Sequence, residues 1–193
     1  MNYFQCIVAL ESFITLPISI SNKIMKPLLI LPALLSVMAL SSCFKKDKAF
    51  SDTDQKLYQM ALKTEGFVWY KNSSNYLDKS SGTGHSQPFL RTRYNAIAAT
   101  MLNPNGTIQS GIQFPEGSVI VKELYDSNKK LERYAILYKN ASNITADANG
   151  WVWGYINANA TTAVSADLKG SSCISCHTQE NNIDYMLMNK YFQ

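Results

Sequence analysis

The segment 118-SVIVKELYDSNKKLERYAILYK-139 decides the fold. Its halves, Ser118–Tyr125 and Glu132–Lys139, are rich in β-branched and aromatic residues and read as two strands. The polar link around Asp126 to Lys130 is short, which predicts an antiparallel hairpin. With a side-chain period of two, Lys122 shares a face with Ile120 and Leu124, while Glu123 joins Val119, Val121 and Tyr125. Neither face is cleanly apolar.

Further strands are predicted outward from the hairpin, at about Phe89–Ala96 and Trp151–Asn157, with Phe67–Tyr70 as a shorter candidate. Turn clusters separate them: Asn103-Pro104-Asn105-Gly106, Asp126-Ser127-Asn128 and Asp147-Ala148-Asn149-Gly150. A Ser/Asn/Gly-rich loop runs from Asn72 to Gly84. At the ends the period lengthens. Ser51 to Thr64 reads as a helix capped by Asp52 or Thr53, with Leu57, Met60 or Ala61, and Thr64 on one face, and Gly66 ends it. Glu180 to Tyr191 reads as a second, with Ile183, Leu187 and Tyr191 aligned. Helices at both ends of a mostly antiparallel sheet give an α+β domain.

Just before the last helix stands Cys173-Ile174-Ser175-Cys176-His177. Two cysteines separated by two residues can each add to a vinyl group of one porphyrin, and the adjacent histidine can turn its imidazole onto the iron. This is the spacing of a c-type haem attachment site. A zinc site would need two further ligands, and the chain has one other histidine, His85. A thioredoxin-like redox site belongs near the start of a βαβ unit, far from this position.

Cysteine usage agrees with that reading. Of the four cysteines, Cys6 and Cys43 lie in the N-terminal segment, leaving Cys173 and Cys176 for the haem and no pair for a disulfide. From Met25 the chain runs MKPLLILPALLSVMALSSC, with Lys26 ahead of an apolar run from Leu28 to Leu40 that is too short for a comfortable membrane span. Leu40-Ser41-Ser42-Cys43 resembles the bacterial lipobox, which implies lipid on Cys43. Residues 1–42 are accordingly expected to be a lipoprotein-type export signal, with Met25 a candidate true start. Residues 43–51 form a polar tether, and 52–193 the haem domain. The expected location is the periplasm or cell envelope, with a lipid anchor in the membrane.

Composition is that of an ordinary globular chain, 46% apolar and 17% charged over 193 residues. The net charge of +4 is dispersed, without a basic stripe interleaved with aromatics, so a nucleic-acid partner is not expected. Internal repeats are absent.

The iron's second axial position is expected to be open. Met186 and Met188 are the methionines downstream of the motif, and at about 1.5 Å per residue along a helix they lie beside the proximal histidine rather than across the haem. Met60 and Met101 read as packing residues.

Phe114-Pro115-Glu116-Gly117-Ser118-Val119-Ile120-Val121-Lys122-Glu123-Leu124-Tyr125, the late haem motif and the intervening Trp151-Val152-Trp153-Gly154-Tyr155 together resemble the cytochrome P-460 family. The resemblance covers essentially the whole mature chain. It implies an antiparallel β domain, often homodimeric, with one covalent, five-coordinate haem c and, in the best-known members, a lysine bonded to the porphyrin edge and oxidation of hydroxylamine. Lys122 is the position matching that lysine. Burial among Ile120 and Leu124 would favour its neutral, reactive amine, whereas a lysine at a strand end would snorkel to water. Arg93 falls where the family often has a pocket arginine, and Arg91 shares its strand face. His85, in a Gly/Ser loop, is expected to be solvated. No residue matches the family's distal carboxylate; Glu123 and Glu132 are nearest and are expected to face solvent.

Three functions follow. In the first, the chain would be a haem oxidoreductase acting on hydroxylamine or a related small nitrogen compound and passing electrons to a redox partner protein. Alternatively, it resembles the cytochromes c-prime-beta and binds nitric oxide or another diatomic gas. The third reading is a lipid-anchored electron carrier.

Overall fold

The computed structural model describes residues 50–193. The expected export signal, Met25, Cys6, Cys43 and nearly all of the tether lie outside the described residues.

The α+β expectation is met. Helix α1 (Asp52–Leu62) starts at Ser51, whose hydroxyl accepts the Asp54 N–H at 3.1 Å, so the cap is one residue earlier than Asp52 or Thr53. Asp54 itself turns inward, accepting bonds from Ser165 Oγ (2.7 Å) and the Ala166 N–H (2.8 Å). These bonds pin α1 to the far end of the sheet.

Seven strands follow: β1 (Val68–Trp69), β2 (Leu77–Asp78), β3 (Phe89–Tyr94), β4 (Val119–Tyr125), β5 (Leu131–Lys139), β6 (Trp151–Asn157) and β7 (Thr162–Val164). They form one antiparallel sheet in the order β1-β3-β4-β5-β6-β7, with β2 also paired to β3. The β4–β5 hairpin is closed by Asp126, whose carboxylate accepts the N–H groups of Asn128 (2.9 Å) and Lys130 (2.8 Å).

Register divides the sheet into two working faces. Thr92, Lys122, Ala135 and Tyr155 lie side by side across β3 to β6, as do Ile120, Leu137 and Trp153, and these point one way. Arg93, Val121, Ile136 and Gly154 point the other way, under Leu57 and Ala61 of α1. Gly154 lets the helix settle: a Cβ there would stand 2.7 Å from Leu57 Cδ1.

The C-terminal segment departs from expectation. Cys173 caps a short helix formed by the rest of the motif, α3 (Ile174–His177), following the short α2 (Ala96–Ala99), but Glu180–Tyr191 is not one continuous helix; only α4 (Met188–Tyr191) forms. Asn181, Asp184 and Tyr185 have φ of 64°, 46° and 71°, and Ile183 pairs with Met186 in an isolated bridge. Tertiary bonds outweigh the helical periodicity here. Asp184 accepts from Trp151 Nε1 (3.0 Å) and the Phe114 N–H (2.9 Å), and Lys139 stands 3.4 Å away.

Candidate haem site

Between the Lys122 face of the sheet and the C-terminal segment lies a cavity of about 280 Å³. Cys173, Cys176 and His177 line it together with Lys122, Trp153 and Tyr155. Neither cysteine is in a disulfide.

His177 is held by its surroundings in one tautomer. Its Nδ1 lies 2.8 Å from the Tyr185 carbonyl, which can only accept, so Nδ1 carries the hydrogen and Nε2 keeps its lone pair. Such a backbone acceptor orients a metal-ligating histidine and raises its basicity as a ligand. Burial, with the Lys122 charge second, lowers the pKa of His177 to about 4, so the ring is neutral near neutral pH.

Trp153 stands edge-on to the His177 ring, 5.1 Å between centroids, and its Nε1 donates to Asp147 Oδ2 at 2.8 Å. Gly170, at φ +71°, makes room for the indole: a Cβ there would lie 2.6 Å from it.

Lys122 turns its side chain into the cavity, and burial lowers its pKa to about 8. The two thiols, the free imidazole nitrogen and a desolvated amine thus share one largely apolar space, a donor set suited to haem c. A model of the cytochrome P460 family matches residues 69–188. The chain belongs to the cytochrome P460 family. As a member of that family it is a c-type haem protein. Comparison with curated proteins and with solved structures gave no match.

Two expectations for this cytochrome P460 site are corrected by the sheet's register. Arg93 does not enter the cavity. It lies fully buried on the opposite face, ion-paired with Glu123 and donating to the Ala61 carbonyl. Arg91 cannot replace it, because it shares that face and pairs with Glu123 at 2.6 Å. The residue between them, Thr92, is the one that faces the cavity.

Glu123 is likewise buried rather than solvent-facing, and it points away from the haem side. Glu132 is exposed as expected, accepting from Gln87 Nε2 at 3.1 Å. No Asp or Glu lines the cavity among the described residues.

His85 is the residue that loop composition concealed. Rather than being solvated, it lines the cavity, with Nδ1 3.3 Å from the Tyr155 hydroxyl and its ring centroid 6.4 Å from that of His177. Burial first, then the Lys122 charge, pushes its pKa down to about 3. The strand pattern did contain a signal for its partner, since Tyr155 sits two residues from Trp153 on the same face.

Met186 and Met188 also line the cavity, next to the Tyr185 carbonyl that holds His177. Met188 Sδ accepts from Thr92 Oγ1 at 3.3 Å. Met60 and Met101 pack against the core and do not line the cavity.

Proposed function

We propose that this protein oxidises hydroxylamine or a related small nitrogen compound at a single haem c, held covalently through Cys173 and Cys176 and bonded to Lys122 at the porphyrin edge. The observation that carries the proposal is the Lys122 amine, buried in the same cavity as the Cys173, Cys176 and His177 groups. When bound, the haem supplies an iron that takes up small nitrogen ligands and accepts their electrons.

The chain's own residues supply position and protonation state. The Tyr185 carbonyl aims the Nε2 lone pair of His177. With a pKa of about 8, roughly one Lys122 amine in ten is neutral at pH 7, against fewer than about one in a thousand for an ordinary lysine. The neutral amine is the form that can bond to a porphyrin-edge carbon, in a step that breaks that carbon's C–H bond, releases two protons and passes two electrons to a peroxide-class oxidant. Electrons pass on to a redox partner protein. Export and lipid attachment at Cys43 place the protein at the cell envelope, and pairing of two chains as a homodimer belongs to the same proposal.

A cavity lined by no Asp or Glu among the described residues favours a second reading, a nitric-oxide-binding protein like the cytochromes c-prime-beta. Steady-state assay of the holoprotein with hydroxylamine and a chemical electron acceptor separates the two. Turnover that is lost in Lys122→Ala supports oxidation; tight nitric oxide binding with no turnover supports the gas-binding function.

A further inference from the structure

We propose that His85 is the second axial ligand of the haem iron in the resting protein, a displaceable group that closes the position at which the nitrogen compound binds. The proposal rests on the reading of this cavity as a haem c site and changes the open coordination expected from the sequence.

His85 and His177 are the only two histidines in the chain, and both line one cavity. Two imidazoles on opposite sides of one metal ion, each at about 2.0 Å, put their donor nitrogens about 4 Å apart and their ring centres about 6 Å apart. The observed centroid separation is 6.4 Å, with ring planes at 76°, an angle open to two rings that share an axis. A base acting on an iron-bound substrate would have to stand farther off, because the substrate's own atoms would lie between.

The two rings are also supported alike. Tyr155 Oη lies 3.3 Å from Nδ1 of His85, as the Tyr185 carbonyl lies 2.8 Å from Nδ1 of His177. Neither Nε2 has a hydrogen-bond partner among the described residues. When Tyr155 Oη accepts from Nδ1 of His85, as the Tyr185 carbonyl must from Nδ1 of His177, both histidines offer Nε2, backed by an oxygen on the other nitrogen.

The loop carrying His85 is built for release. It joins β2 to β3, and it is tied down at Lys79, whose N–H donates to Pro88 O (2.7 Å), and at Gly82, whose carbonyl accepts from Tyr191 Oη (3.1 Å). Between these ties the backbones of Gly84, His85 and Ser86 make no backbone hydrogen bond. Gly84 passes over the motif, a Cβ there standing 3.8 Å from Cys176 Sγ. Withdrawing His85 breaks no ladder bond, so an incoming ligand can displace it at low cost.

The test is the spin state of the ferric holoprotein, read by optical absorption and electron paramagnetic resonance with haem content measured in parallel. Wild type is expected to be six-coordinate and low-spin. His85→Ala is expected to be high-spin at equal haem content, with added imidazole restoring the low-spin spectrum. His85→Phe keeps ring packing on Tyr155 without a donor nitrogen and should give the same high-spin state even if the alanine variant folds poorly. A high-spin wild type overturns the assignment, as does a low-spin signal that persists in both variants. Hydroxylamine turnover by the same wild-type preparation reports the proposed oxidation separately, so a high-spin protein that turns over removes His85 as ligand and leaves the enzyme standing.

Discussion

Lys122, His85 and His177 face one cavity, and burial favours the neutral form of each, drawing them to about 8, 3 and 4. For the two histidines the unfolded chain takes up protons near pH 6.5, and the folded chain only well below it. Between those limits the unfolded state holds more protons, so stability is fully present above about pH 6.5 and is lost as pH falls toward 4. Denaturant unfolding of the haem-free chain should show the midpoint dropping between about pH 6.5 and 5, with a shallower slope in His85→Ala. A midpoint flat across that window in wild type would contradict the burial of the two rings. Lys122 acts at the other end, where the same reasoning makes stability rise between about pH 8 and 10.5.

The elements place these residues, and the register of β3 on β4 is the decisive one. Lys122 reaches the cavity because Ile120 and Lys122 share a pleat with Thr92; Arg93 and Glu123, one residue along each strand, are carried to the α1 face. Glu123→Ala leaves the Arg93 guanidinium buried without its counter-charge, at a cost of about 3–5 kcal/mol. Thermal unfolding should register that loss while the haem absorption spectrum stays unchanged. A spectral shift with no loss of stability would place Glu123 on the haem side instead.

The long strands and the hairpin were legible because alternation and turn residues are local signals. Trp151–Asn157 and Phe89–Tyr94 carry them. The side facing the haem was not legible from β3, since Arg91 and Arg93 look like pocket residues until the α1 layer that buries them is known. The broken Glu180–Tyr191 segment and the cavity position of His85 escaped for the same reason. Asp184 is held by Trp151 and Phe114, and His85 by Tyr155, all contacts between residues distant in sequence. The haem motif was legible as residue types at fixed spacing and Lys122 through the family resemblance, and their meeting in one cavity is the structure's addition.

At the scale of the molecule, the sheet is a partition with α1 on one face and the haem cavity on the other. The family match spans the sheet and the haem motif, from β1 to the start of α4, with α1 ahead of it. The proposed lipid on Cys43 sets where this domain works. Fractionation of cells expressing the full chain should find it with the membranes, and Cys43→Ser should release it to the soluble fraction; a soluble wild type would contradict the anchor.

What the iron does turns on Lys122 meeting the porphyrin, and the optical spectrum of the reduced holoprotein tests that most directly. A strongly red-shifted Soret band that Lys122→Ala abolishes is the predicted result. An ordinary c-haem spectrum in wild type, unchanged by the substitution, would contradict it.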